Sequence, residues 1–343
     1  MPHPAGRVRS NGNMDAITIR ILRKTLGVAR KAFRVPEFDS ALDDGRPDFP
    51  VHAAGQAAGN LIREKLLGAR PCLIGRFGSN ELFTARRRFN QKSRGRIANA
   101  WGYARGRNSE FWWDDEVRRP MQNGAGFFPC TDDALARFAD RVLEEIGEID
   151  VLGSWARGER ELAGFIPRTQ IVPLRDLEPY YHRDPWTTAL EGRTVLVIHP
   201  FEASIRRQYE KRPLLFADRR VLPDFALNTF KSVQTIGGNG SGFNTWFEAL
   251  DWMCERVREI EFDVAIIGAG SYGLPLAAFV KRLGRKAVHL GGATQLLFGI
   301  RGKRWDNQVW YPELQKLYNE HWIRPLPEET PAAYRIVEGG CYW

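Results

Sequence analysis

The sequence predicts an α/β fold, a Rossmann-like, mostly parallel sheet with helices on both faces. Two observations carry that expectation. Short apolar runs of strand type alternate with longer segments of helical periodicity from Leu61 onward, a pattern that puts parallel strands beneath crossover helices. Within it, the apolar run Asp263-Val264-Ala265-Ile266-Ile267 leads into Gly268-Ala269-Gly270-Ser271-Tyr272-Gly273, a G-x-G-x-x-G turn, and then into a helical pattern over residues 274–282. Strand, glycine turn and helix in that order form a phosphate-binding unit, because the turn aims the N–H groups of the helix start at an anion.

Taken in chain order, residues 1–45 read as a basic amphipathic arm and linker, and residues 46–343 as the α/β body, with an N-terminal half at 46–190 and a C-terminal half at 191–343. In the arm, residues 15–34 predict a helix, since Leu22, Leu26, Ala29 and Phe33 recur on one face while Arg20, Lys24, Lys31 and Arg34 populate others. Such a helix lies either on an anionic membrane surface or against the body. Residues 37–51, rich in Asp, Gly and Pro, read as the linker. Strands are expected at 72–74, 151–152, 171–173, 195–198, 264–267 and 287–290, and helices at 61–67, 132–146, 245–260 and 274–283. Ligands of such a sheet bind at the carboxyl ends of its strands.

Composition narrows the function classes. The 343 residues, 43% hydrophobic and 27% charged, belong to a globular protein. No apolar run approaches the roughly 18–20 residues of a membrane span, and MPHPAGRVRSNGN has no apolar secretory core, so a cytoplasmic location is expected. The four cysteines form no C-x-x-C pair and the six histidines no H-x-x-x-H spacing, so neither a redox motif nor a histidine-built metal site is expected. The net charge of +9 concentrates in residues 1–36, where eight cations face Asp15 alone, a local +7 that leaves +2 for the rest. A basic arm rather than a basic domain accounts for the charge, and nucleic acid is not an expected partner.

The glycine turn points to a diphosphate more than to a nicotinamide dinucleotide. A dinucleotide site wants an acid at the end of the next strand to accept from the ribose, yet that strand ends in Gly291-Gly292, and no Asp or Glu occurs between Val264 and Trp305. The same segment carries Lys281, Arg282, Arg285, Lys286, Arg301, Lys303 and Arg304. Gly268, Gly270, Ser271, Tyr272 and Gly273 are therefore candidate diphosphate-binding residues, with a purely structural tight turn as the other reading.

Three further segments can carry chemistry. After the first strand, Arg76, Gly78, Ser79 and Glu81 combine a guanidinium suited to phosphate with a carboxylate suited to a metal or a sugar hydroxyl, unless Arg76 and Glu81 simply pair to brace the turn. After residues 195–198, His199, Ser204, Arg206 and Arg207 can converge on an anion, although a lone strand-end histidine is more often a packed one. Gly299, Arg301, Lys303 and Arg304, between Phe298 and Trp305, make either a binding loop or a solvated basic loop. Eleven tryptophans are available to stack on sugars or bases, or to pack the core.

In order, GRFGSNEL, GAGFFP, LEPYY followed by PWTTALEGRTVLVIHPF, GAGSYG, HLGGATQLLFGIRGKRW and EGGCYW resemble a bacterial family of GT-D-fold glycosyltransferases associated with surface polysaccharides. The resemblance spans roughly residues 55–343 and leaves the arm outside. It implies a nucleotide-sugar donor as co-substrate, a surface-glycan or lipid-linked acceptor, and a divalent metal, Mn or Mg, at an R-F-G-D-G-E segment. Arg76, Phe77, Gly78 and Glu81 match that segment, whereas Ser79 stands at its Asp position and Asn80 at its second Gly. With one carboxylate lost, Glu81 alone remains as a metal ligand, and the arginines become the expected neutralisers of the diphosphate. Glu81, Glu178 and Glu202 are the candidate bases. The expectation is a cytoplasmic glycosyltransferase, peripheral to the inner face of the membrane through residues 1–36. An NADP-dependent oxidoreductase and a non-catalytic nucleotide- or glycan-binding component of polysaccharide assembly remain as alternatives.

Overall fold

The computed structural model describes residues 16–35, 46–93, 95–238, 240–307, 309 and 311–343. Seven strands, β1 (Cys72–Gly75), β2 (Val151–Ser154), β3 (Gln170–Pro173), β4 (Thr194–His199), β5 (Ala226–Lys231), β6 (Val264–Ile267) and β7 (Lys286–His289), form one sheet in the order β3-β2-β1-β7-β6-β4-β5. Every pairing is parallel. The first half of the body supplies β1 to β3 and the second β4 to β7, and the two meet where Ile74 lies opposite Val288.

Side chains alternate across the sheet with period two, as strands buried on both faces require. In β4, Leu196 and Ile198 enter one apolar cluster while Val195 and Val197 enter the other. Ala265 and Ile267 of β6 divide from Val264 and Ile266 in the same way. Each fully buried aliphatic side chain contributes about 1.5–3 kcal/mol, and both faces are lined with them.

The α-helices are α1 (Ala16–Ala32), α2 (Gln56–Leu67), α3 (Ser79–Ser93), α4 (Arg96–Ala104), α5 (Asp115–Asn123), α6 (Asp132–Glu145), α7 (Glu202–Glu210), α8 (Arg212–Leu215), α9 (Trp246–Arg258), α10 (Gly273–Arg282), α11 (Thr294–Leu297) and α12 (Pro312–Gln315). Side chains of α3, α5, α6, α9 and α10 fill the first cluster and those of α2, α7, α8 and α11 the second. Thr131 caps α6 by accepting the Ala134 N–H at 3.3 Å, and Thr245 caps α9 through the Glu248 N–H at 3.1 Å.

All six expected strands and all four expected body helices are present, with ends shifted by a few residues. The additional strand β5 is an edge strand paired only with β4 and exposed at both ends, so it shows no continuous apolar run. Helix α3 also lay outside the expectation, because its buried face carries Thr84, Arg86, Arg87 and Asn90 and no apolar stripe marks it.

The arm forms α1, and one face of it packs on the body. Ile19 and Leu26 are buried, with Leu22 and Ala29 beside them, against Ala104, Phe111 and Trp112. Phe33, expected on the same face, is instead 46% exposed and meets Trp101 edge-on at 6.0 Å. Ile17, Ile21 and Val28 face outward. Most of the expected linker, residues 37–45, lies outside the described residues; beyond it, the Asp48 carboxylate accepts from the N–H groups of Gly158 and Arg160. Among the described residues no helix is long and apolar enough to cross a membrane.

Candidate functional site

Across the sheet centre, the segments leaving β1 and β6 turn to one face through α3 and α10, and those leaving β4 and β7 turn to the other through α7 and α11. In the strand order β1-β7-β6-β4 the exits alternate, so the chain parts at the carboxyl ends and leaves a crevice there. A cavity of about 380 Å³ occupies that place, lined by residues 76–81 after β1, 199–201 after β4, 268–272 after β6, and His289, Gly291 and Gly292 at the end of β7. Trp155 after β2 and Arg304, Tyr311, Glu338 and Tyr342 from the C-terminal segment complete the walls.

The glycine turn lines this cavity with its backbone, at Gly268 and Gly270. Close packing also demands glycines here: a Cβ on Gly268 would lie 2.6 Å from the Gly291 carbonyl oxygen and 2.6 Å from His199 Cδ2, and one on Gly273 would overlap the His289 ring. The side chains of Ser271 and Tyr272 point into the core. Ser271 donates to the Ala125 carbonyl at 2.7 Å and accepts from Trp246 Nε1 at 2.9 Å, while Tyr272 stacks on Trp246 with centroids 5.0 Å apart. These two side chains pack the turn against Trp246.

Arg76 dominates the electrostatics. Its guanidinium lies over the Trp155 ring at 4.7 Å, its buried Nε has no acceptor, and no carboxylate among the described residues lies within ion-pair distance of it. The alternative reading, in which Arg76 and Glu81 pair to brace the turn, is therefore not what the structure shows. Burial pulls the guanidinium below its ordinary pKa, with Tyr342 and Glu81 pulling the other way. A cation left desolvated and unpaired is costly, and an arriving anion relieves that cost. Trp155 is itself held: its Nε1 donates to the Phe77 carbonyl at 3.1 Å, and its N–H donates to the Glu159 carboxylate at 3.2 Å.

Glu81 sits in the first turn of α3 with its carboxylate folded over Gly78. Burial raises its pKa from the ordinary value, while its own backbone N–H and Arg76 oppose the rise. Two buried histidines flank the turn in opposite tautomers. His199 accepts the Phe201 N–H on Nδ1 at 3.0 Å, so its neutral ring carries the proton on Nε2; burial pushes its pKa down to about 3. His289 Nδ1 lies 3.2 Å from the Ile267 carbonyl, which only accepts, so that ring is protonated on Nδ1; burial and then Arg76 hold it at about 4. At neutral pH one ring offers a donor and the other a lone pair. Arg304 enters the cavity from the C-terminal side, bonded to Glu338 at 2.6 Å and lying over Tyr342 at 4.9 Å.

The structure thus brings together Arg76, Gly78, Ser79, Glu81, His199, the Gly268 to Gly273 turn and Arg304. It leaves the other expected residues outside. Glu202 accepts from Arg206 at 2.8 Å and Thr229 at 2.7 Å, an outward-facing cluster off the cavity, and Arg207 is exposed. The N-terminus of α7 does receive an anion as expected, but the anion is the protein's own Glu329, which accepts from the Ala203 N–H at 2.7 Å and from the Ser204 N–H and hydroxyl. Glu178 accepts from the Tyr180 hydroxyl behind the cavity wall, and burial pushes it up to about 7. In the basic loop, Gly299 packs on Leu215, Arg301 pairs with Asp306 at 3.1 Å, and Lys303 donates to the Gly339 carbonyl at 3.1 Å. Only Arg304 of that loop reaches the cavity.

His289, Trp155 and Tyr342 were not expected as site residues, Trp155 entering only as one of the eleven tryptophans available for stacking. The signal for the first two was there, since each stands at or just beyond a strand end. A divalent metal does not fit the donor set. Glu81 and Glu338 are the cavity's only carboxylates among the described residues, Glu338 already binds Arg304, and no group of three or more His, Cys, Asp or Glu able to hold a metal occurs among the described residues.

No protein-family model, no curated protein and no solved structure matches the chain.

Proposed function

We propose that the chain is a glycosyltransferase that moves a sugar from a nucleotide-diphosphate-sugar donor to a hydroxyl of a surface-glycan or lipid-linked acceptor. Arg76 carries this reading: an unpaired, half-buried guanidinium in the crevice of a parallel sheet, beside a glycine turn and a second arginine, Arg304. These groups suit a leaving nucleoside diphosphate, whose charge grows as the bond from the anomeric carbon to the phosphate oxygen breaks. Electrostatic neutralisation falls to the two arginines, and no step is assigned to a metal. As the acceptor oxygen bonds to the anomeric carbon, Glu81 takes its proton, a role favoured by its raised pKa. Of the three candidate bases, only Glu81 lines the cavity.

The arm supports placing this activity at an anionic membrane surface. With Ile19 and Leu26 turned to the body, the outward Ile17, Ile21 and Val28 alternate with Arg20, Lys24 and Lys31, the composition of an interfacial helix. Deleting residues 1–36 should abolish sedimentation with anionic liposomes, and unchanged sedimentation would remove this element.

Calorimetry with a panel of nucleotide sugars and NADP tests the main reading on wild type and Arg304→Ala. Nucleotide-sugar binding that weakens in the variant is expected. Equal affinity in both, or tight NADP binding with none for any nucleotide sugar, overturns the reading. Donor binding without turnover would favour the non-catalytic alternative, which Ser79 in the acidic position keeps in view.

A further inference from the structure

A second cavity, of about 1020 Å³, lies between the arm helix α1 and the body and shares Ser79, Asn80 and Trp155 with the first. Its charge is one-sided, with seven cations among its lining residues against Glu110, Glu116 and Glu161. At its wall Arg87 is 7% exposed, its Nε has no acceptor, and its nearest carboxylate, Glu110, stands 3.7 Å away, too far for a good hydrogen bond. Buried Arg86 pairs with Glu161, and its Nε is also left without an acceptor. Lys31, Arg107 and Arg157 are exposed and pair with no carboxylate among the described residues. The donor site does not use any of these groups.

We propose that this second cavity is the acceptor site and takes a sugar carried on a phosphate or diphosphate. The inference rests on the glycosyl-transfer reading of the first cavity. Its geometry comes from α3, which carries Glu81 in the donor cavity and Arg87 in the second, six residues further along. At 1.5 Å per residue they stand about 9 Å apart along the helix axis. One sugar ring and its attached diphosphate bridge such a distance, with the accepting hydroxyl at Glu81 and the anionic group at Arg87. Guanidinium forks suit phosphate oxygens, and desolvated ones bind them most strongly. The cavity opens beside α1, so a lipid tail leaving the diphosphate would run along the arm. A soluble sugar phosphate satisfies the same cations.

Calorimetric titration of the full chain with inorganic pyrophosphate, farnesyl diphosphate and farnesol, alongside UDP and GDP, tests the proposal. Wild type should bind pyrophosphate at two sites, one lost in Arg76→Met and the other weakened at least tenfold in the triple variant Lys31→Gln/Arg107→Gln/Arg157→Gln, whose exposed positions leave folding intact. UDP or GDP affinity should be unchanged in the triple variant. A second variant, Arg87→Lys, keeps the charge but loses the fork and should weaken the same site. Farnesyl diphosphate binding tighter than pyrophosphate there indicates a lipid-borne acceptor, and equal binding a soluble one. Pyrophosphate titrating identically in wild type and the triple variant, or farnesol matching farnesyl diphosphate, overturns the inference and leaves the donor reading standing. Absence of UDP and GDP binding, with the second pyrophosphate site retained, instead removes the donor reading.

Discussion

Replacing Arg76 with Met separates a ligand-binding arginine from a structural one, because the two roles predict opposite changes in stability. The side chain keeps its volume, but the desolvated charge disappears. Burying an unpaired cation costs several kcal/mol, and the contact with Trp155 at 4.7 Å returns about 0.5–2 kcal/mol. Since the outer guanidinium nitrogens reach the cavity, the net relief is taken as about 1–2 kcal/mol. At about 2.1 cal/mol/K per residue, 343 residues give an unfolding entropy of about 0.7 kcal/mol/K. The melting temperature should therefore rise by about 1.5–3 °C. Ligand affinity should move the other way: losing one or two charge-assisted hydrogen bonds to a diphosphate costs about 1.5–3 kcal/mol, or between tenfold and a hundredfold in Kd. Scanning calorimetry reads the first effect and titration with nucleoside diphosphates the second. A melting temperature lowered by several degrees with affinity intact would show that Arg76 holds the fold rather than a ligand.

Three further perturbations probe the same site. Gly268→Ala puts a Cβ 2.6 Å from the Gly291 carbonyl oxygen and 2.7 Å from Thr294 Oγ1, atoms that cannot step aside, so chemical denaturation should show a loss of about 1–3 kcal/mol; wild-type stability would mean the close packing is not required. Glu81 must be ionised to accept a proton and its pKa is raised, so the transfer rate should fall as pH drops through that raised value, and Glu81→Gln should remove both the activity and that limb of the pH–rate profile; a variant that keeps both excludes Glu81 as the base. Glu178, raised from 4.5 to about 7, keeps its proton in the folded state where the unfolded chain has released it. Its contribution to stability is full below the unfolded pKa and falls as pH rises toward 7, by up to about 3 kcal/mol. Unfolding measured at pH 5 and pH 7 should show a smaller difference in Glu178→Gln than in wild type, and an unchanged difference would exclude Glu178 as the source.

Much of the fold was legible because it rests on local periodicity. β4 and β6 are short apolar runs that any face of a covered parallel sheet accepts, and α6 and α9 carry both an apolar stripe and a threonine cap. β5 and α3 were not legible, because one is a half-exposed edge and the other buries arginines and an asparagine against polar partners. Within the site, Arg76, Glu81 and the glycine turn were visible as residue types at strand ends. The arginines of α7 and of the basic loop looked equivalent to Arg76 and Arg304 by the same rule, yet Arg206 pairs with Glu202 one turn earlier on α7 and Arg301 with Asp306 five residues on.

The sequence by itself determined the fold class, the strand-turn-helix unit and the stock of cations, since each depends on residues close together in the chain. Only the tertiary structure decided which cations remain unpaired. Ser204 and the start of α7 are satisfied by Glu329, 125 residues away, while Arg76 meets a tryptophan face in place of a carboxylate. Whether a buried charge awaits a ligand is a matter of what surrounds it, and that is set by contacts between segments far apart in the chain.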